Sequence, residues 1–276
     1  ACCLALCAAC GHRPGHIDKR FRILGGNSTT ARDWPWQVYY YNGRGSACGG
    51  TIISHNFVLT AAHCGEPNIS ASAVFFGEGY RRTARSIESY TMHEGYASDT
   101  ILYDDLLVLR MTEPFEYNNY VQPVCLDAGE TVFHDGVVTG FGQTDAADFG
   151  TAKAPPEEMR EAAVDVFNYT ECSGNRAPDI LASYNLSAVW QLPDDRYICS
   201  GAEGRGAFSG DSGGPLVARA DDGSFYQLGI ASFIANYTAL LERQDIAPGV
   251  FMRVAAYCDW IANATRGEAR CGPSTE

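Results

Sequence analysis

No stretch of this chain is both apolar and long enough to cross a bilayer, which takes about 20 such residues in a helix. Basic residues are scarce too: 20 Lys and Arg stand against 33 Asp and Glu, a net charge of −13. That sign repels phosphate backbones and anionic lipid, so nucleic acid and membrane are excluded as expected partners, and an acidic surface suits a soluble extracellular chain. There is no internal repeat and no low-complexity tract. Histidine runs out early, since all six (His12, His16, His55, His63, His93, His134) precede residue 135. The stretch after Gly77-Glu78 is poor in acidic ligands, so no metal is expected, and nothing calls for a cofactor.

What is present is organised around Gly204–Leu216, whose centre reads Gly210-Asp211-Ser212-Gly213-Gly214-Pro215. A serine hydroxyl is a poor nucleophile unless a base takes its proton and fixed donors receive the charge that develops on the substrate oxygen. Glycines around one serine let the backbone bend sharply, so that the N–H groups of Gly210 and Ser212 converge on one point. Gly-x-Ser-x-Gly also fits the nucleophile elbow of α/β-hydrolases, where the histidine follows the serine. Here no histidine does, so that order is excluded. Upstream lie Thr60-Ala61-Ala62-His63-Cys64 and Asp104-Asp105-Leu106-Leu107-Val108-Leu109-Arg110.

With histidine, aspartate and serine in that order, and Ile23-Leu24-Gly25-Gly26 ahead of them, the chain resembles the chymotrypsin-like (trypsin-fold) serine proteases from Ile23 to about Ile261. The resemblance implies an all-β fold of two six-stranded antiparallel barrels, meeting near residue 125, with a C-terminal helix at about 255–265. It implies a serine endopeptidase in which His63 is the general base, Asp105 orients it, Ser212 is the nucleophile and Gly210 and Ser212 donate to the oxyanion. Asp104 competes with Asp105, but strand alternation turns it to the opposite face. His55 and His93 lack the surrounding motif and read as surface or structural residues. A binding or regulatory protein built on the same fold without activity is the alternative, and such relatives commonly lack one of the three residues.

Arg22-Ile23 reads as an activation site for a trypsin-like protease. In this family the new ammonium on Ile23 pairs with the buried Asp211, so the uncut chain is expected to be a zymogen that loses activity only at alkaline pH once cut. Residues 1–9 are apolar, small and too short to span a bilayer, and look like the end of a secretory signal peptide; 10–22 form an activation propeptide and 23–276 the protease domain. Six Asn-x-Ser/Thr acceptors (Asn27, Asn68, Asn168, Asn185, Asn236, Asn263) agree with secretion.

Removing Cys2, Cys3 and Cys7 leaves eight cysteines, an even number suited to an oxidising compartment. By resemblance Cys48 pairs with Cys64, Cys172 with Cys199 and Cys10 with Cys125, which leaves Cys258 and Cys271 for each other. Gly136 with Ala218, and Phe208 with no cysteine in 234–247, mark two family bridges lost as whole pairs.

The resemblance also places Gly206 at the base of the substrate pocket beside Ala207, with Ser232, Phe233 and Ile234 on one wall and Gly249 on the other. Ile234 narrows the pocket, which favours small or medium aliphatic residues before the scissile bond, and Arg205 offers acidic side chains a lesser route in. Expected partners are protein or peptide substrates, the activating protease and protein inhibitors of proteases, for a monomeric chain.

Overall fold

The structure is a computed structural model that describes residues 10–14, 22–78, 83–96, 103–145, 158–172, 195–234 and 238–272. The segment 1–9, Asn185, Asn236 and most of the Cys172–Cys199 loop lie outside the described residues.

Two sheets carry the chain. The first contains β2 (Gln37–Tyr41), β3 (Ala47–Ile52), β4 (Phe57–Thr60), β5 (Ala73–Phe76), β6 (Thr83–Arg85), β7 (Ile87–Met92) and β8 (Leu107–Met111) in the order β6-β5-β2-β3-β4-β8-β7. The second contains β1 (Arg22–Ser28), β9 (Cys125–Leu126), β10 (Asp135–Gly140), β11 (Arg160–Phe167), β12 (Tyr197–Gly201), β13 (Pro215–Arg219), β14 (Phe225–Phe233) and β15 (Gly249–Arg253). Its pairings β11-β10-β13-β14-β15-β12 return to β11 and close a six-stranded antiparallel ring. β1 adds to the outer edge of β11, and β9 runs parallel to β14.

The first sheet departs from the expected closed six-stranded barrel. Among the described residues it is a seven-stranded path without a closing ladder. Its two ends nonetheless meet, because β6 stops at Arg85 and β7 starts at Ile87. Two residues reach at most ~7 Å, so the sheet has to curl into a half-open barrel.

Alternation decides which side chains fill these barrels. Trp34, Trp36, Val38, Tyr40, Ile52, Leu59, Leu107 and Leu109 are fully buried around the first sheet, while Val138, Ala162, Val164, Leu216, Leu228 and Phe251 pack inside the second. The chain crosses between the two at residues 124–125: Val124 N donates to Ile52 O, while Cys125 already pairs with Tyr226. A 3-10 turn, Val254–Tyr257, leads into the terminal helix Cys258–Ala264, with Ile261 buried. All four expected disulfides are present: Cys10–Cys125, Cys48–Cys64, Cys172–Cys199 and Cys258–Cys271.

β1 does not pair evenly. Arg22 and Asn27 both face Glu161 of β11, so Ile23–Gly26 leave the ladder between two points pinned to one residue. Arg160 Nη1 holds the far side of this bulge by donating to Gly26 O at 2.9 Å.

The sheets dock through close backbone approach. A Cβ on Gly49 of β3 would lie 2.8 Å from Gly214 Cα, and Gly49 N donates to Ser212 O at 2.7 Å. Thr139 Oγ1 of β10 donates to Gln37 Oε1 of β2 at 2.6 Å, both residues being buried. Thr139→Val keeps the shape but strands the buried Gln37 oxygen, so a loss of about 1–3 kcal/mol is expected in urea unfolding, with an unchanged m-value.

Candidate active site

Asp105 sits two residues before β8 with no solvent exposure. Its carboxylate accepts from three donors: His63 N to Oδ1 at 2.7 Å, His63 Nδ1 to Oδ2 at 2.7 Å, and Ser232 Oγ to Oδ2 at 2.5 Å. His63 lies in the short 3-10 turn Ala62–Cys64, which begins two residues after β4, and the Cys48–Cys64 disulfide fastens that turn to β3. With Nδ1 donating to a buried carboxylate, the neutral ring presents Nε2 as an acceptor toward the partly open side, where the His63 side chain is 22% exposed.

Ser212 approaches from the second sheet. Gly213, at φ 74°, fits so tightly that a Cβ there would lie 2.1 Å from Thr60 Oγ1 and 3.0 Å from Ala61 N, the residues leading to His63. Among the described residues no hydrogen bond yet joins Ser212 to His63. The backbone around the serine is partly committed: Asp211 N donates to Phe208 O and Gly213 N to Ala231 O. The neighbouring Gly210 N and Ser212 N donate to no carbonyl among the described residues. Gly210 holds φ 99°, a conformation a side chain strains to adopt.

Asp104 is the neighbour whose role the sequence leaves open. At φ 52° it is one of two non-glycine residues in the left-handed region among those described. This turns its carboxylate away from His63, to accept from Arg196 Nη1 at 2.6 Å and Tyr257 Oη at 2.9 Å. Burial and the adjacent Asp104 carboxylate push the Tyr257 hydroxyl pKa up. His93 packs against the rings of Tyr257 and Trp260, and His55 stacks on Tyr117 with centroids 3.9 Å apart. Both competing histidines are thus structural.

Asp211 is buried, and among the described residues its carboxylate accepts from two backbone N–H groups alone: Gly142 N to Oδ1 at 2.7 Å and Phe208 N to Oδ2 at 2.9 Å. Burial raises its pKa from 3.8 to about 6, against the lowering effect of those two bonds. The uncut chain gives this group no cation among the described residues.

Gly206, Ala207, Ser232, Phe233 and Gly249 are buried near one another at the ends of β12, β14 and β15. Ile234 and Phe208 pack with Leu241, so an apolar cluster fills the place of the absent bridge. Ile234 Cγ2 would lie 3.5 Å from a Cβ on Gly249, so isoleucine reaches across toward the wall expected to be open. Sequence reasoning misses two features here. The Ser232 hydroxyl faces Asp105, and the buried Gln244 side chain lies against Gly206, where a Cβ would fall 1.8 Å from its Oε1. Gln244 Nε2 donates to Ala207 O at 2.9 Å, while Oε1 has no hydrogen-bond partner among the described residues. A pocket floored by glycine is one place to look for a longer side chain reaching in from the far loop. Arg205 lines a separate cavity of about 430 Å³ with Arg13, Trp34 and Arg219, and no pocket residue shares it.

Of the glycosylation acceptors, Asn168 and Asn263 are exposed and Asn27 and Asn68 half-buried. Asn168 also caps the short helix Tyr169–Glu171, its side chain accepting from Glu171 N.

A protein-family model described as Trypsin matches residues 23–261. "Serine protease 41" of Homo sapiens is 32% identical over 268 residues, 92% of this chain and 78% of the relative. "Transmembrane protease serine 9" of Rattus norvegicus is 31% identical over 92% of this chain but only 23% of its own length. "Tryptase" of Mus musculus is 28% identical over 90% of each. Among the described residues no helix is long and apolar enough to cross a membrane.

The raised Asp211 pKa has a sign. The folded, uncut chain holds that proton more tightly than the unfolded one, so its stability falls as pH rises from about 4 to about 6 and is level above. Urea unfolding of uncut Ser212→Ala protein should show this decline, on the order of 3 kcal/mol. The same protein carrying Asp211→Asn should lack it.

Proposed function

The chain belongs to the trypsin family of serine proteases and is a serine endopeptidase; from that premise we propose a secreted zymogen, activated by cleavage after Arg22, that cuts after small or medium aliphatic residues. The observation that carries the reading is the buried Asp105 carboxylate holding His63 by both its backbone N–H and its ring.

In the proposed mechanism Ser212 Oγ attacks the scissile carbonyl carbon while His63 Nε2 takes its proton. The carbonyl oxygen gains the negative charge and receives N–H bonds from Gly210 and Ser212. Collapse of this adduct breaks the C–N bond as His63 returns the proton to the leaving amine, and an acyl-enzyme remains. Water then repeats the sequence and frees Ser212. Asp105 keeps its hydrogen bond to Nδ1 and stabilises the imidazolium, with the Ser232 hydroxyl helping to hold it.

Activation rests on Asp211. Two backbone donors leave a buried carboxylate short of counter-charge, and the α-ammonium of a freed Ile23 supplies it. Specificity rests on Gly206, Ala207, Ser232, Phe233, Ile234 and Gly249, with Gln244 shortening the floor. Protein substrates, a trypsin-like activator and protein inhibitors are the partners this reading entails, and residues 1–9 and the six glycan acceptors support a secretory route.

Cut with trypsin, the 10–276 chain should begin at Ile23 and hydrolyse peptides ending in Ala, Val or Leu before the scissile bond. A serine-directed fluorophosphonate should label it. Arg22→Gln should stay uncut and inactive, and Ser212→Ala should lose turnover by roughly 10⁶-fold. Cleavage after Lys or Arg would refute the pocket assignment but leave the mechanism intact. Gln244→Ala should move the optimum toward longer aliphatic side chains by about 10-fold in relative kcat/KM.

A further inference from the structure

The segment ahead of the activation site is docked as well as tethered. Cys10 is bonded to Cys125, and Gly11 makes a two-way backbone link: its N–H donates to Pro123 O at 2.8 Å, and Phe225 N donates to Gly11 O at 3.0 Å. The approach is so close that a Cβ on Gly11 would lie 2.3 Å from Phe225 O. Beyond it, Arg13 turns inward. Its side chain is only 8% exposed, and its guanidinium carbon lies 4.3 Å from the centre of the Trp34 ring and 5.9 Å from that of Phe225. The two rings stand edge to face with centroids 5.2 Å apart.

The same guanidinium is within ion-pair distance of two carboxylates, Asp33 at 3.4 Å and Glu161 at 3.7 Å. Glu161 is buried and is further held by Trp34 Nε1 and by Thr29 Oγ1, the latter at 2.8 Å. An aromatic wall and two acids around a desolvated arginine form a built recognition site for one cationic planar group. Every residue of that site (Thr29, Asp33, Trp34, Glu161, Phe225) lies on the protease side of Arg22. The occupant, Arg13, lies on the other side.

We propose that Arg13 is a non-covalent anchor that keeps the excised propeptide bound to the activated protease, so that retention does not depend on the Cys10–Cys125 bond. This rests on cleavage after Arg22, and goes beyond that reading in naming what holds the released segment. Once Arg22-Ile23 is cut, residues 10–22 become a separate peptide. Losing it would expose Trp34 and Phe225 and leave Glu161 buried without its cation, and removing one partner of a buried pair is costly. The docked peptide is thus part of the stable enzyme.

The test uses the 10–276 chain carrying Ser212→Ala and the paired changes Cys10→Ser and Cys125→Ser, cut with trypsin and passed over a size-exclusion column. Intact-mass analysis of the protein peak should find the propeptide still bound. Adding Arg13→Ala should weaken retention on the order of a hundred- to a thousand-fold and release it. Loss of the peptide from the Arg13 protein would show that the disulfide alone holds it. Retention by both proteins would show that the backbone link around Gly11 suffices, and either result overturns the proposal. N-terminal sequencing separates these outcomes from a failure to cut at Arg22, which would sink the activation reading instead. If the serine pair does not fold, hydrogen exchange on the disulfide-intact protein serves: Arg13→Ala should strip protection from the Gly11 amide, and unchanged protection refutes the anchor.

Discussion

A carboxylate with no exposure to solvent must be met by donors, or burial drives a proton onto it. Asp105 meets that condition with groups from both halves of the molecule: two N–H donors from His63 beside the first sheet and one hydroxyl from Ser232 in the second. The orientation of the imidazole is therefore inseparable from how the two sheets dock. That docking in turn depends on glycine, because Gly49 lies against Gly214, and Gly213 against Thr60 and Ala61. One methyl group at these positions would pry the serine away from the histidine before any catalytic group was altered.

Three buried aspartates near one another in sequence or space are balanced in three ways. Asp104 has a guanidinium and a phenol, Asp105 an imidazole, an amide and a hydroxyl, and Asp211 two amides alone. Burial raises the pKa of Asp211 to about 6. The carboxylate poorest in counter-charge is the one that the proposed activation supplies with a cation. Arg196 also ties Asp104, next to the Asp105–His63 pair, to the start of β12, so the left-handed turn that presents Asp105 is braced from the second sheet.

Much of this is legible in the sequence because burial leaves a periodic mark. Gln37–Tyr41, Phe57–Thr60, Pro215–Arg219 and Phe225–Phe233 are each an apolar or alternating run between turn residues. An even cysteine count makes the last disulfide follow once three pairs are set. β12 and β9 escape notice: Tyr197–Gly201 is short and ends in glycine, and two residues of β9 carry no pattern at all. Both exist only through distant partners. The same holds for side chains. The Gln244 floor beneath Gly206, the Ser232 hydroxyl on Asp105 and the Arg13 site each join residues far apart in the chain, and no local pattern encodes such a meeting. The expected closure of the first barrel reflects the family; the described strands reach it only through the single residue linking β6 to β7.

The uneven pairing of β1 sets a length scale. Arg22 and Asn27 both face Glu161, and Gly26 is held by Arg160. A cut between Arg22 and Ile23 would free an arm of about four residues whose root stays fixed, and such an arm reaches at most ~13 Å. Its amino group would sample a small hemisphere at millimolar or higher effective concentration, roughly what a short tether provides. Insertion into its acceptor is then a unimolecular search, with a rate independent of protein concentration and sensitive to arm length. One residue added to or removed from Leu24–Gly25 would change the reach by about a quarter, making the arm a ruler as well as a switch.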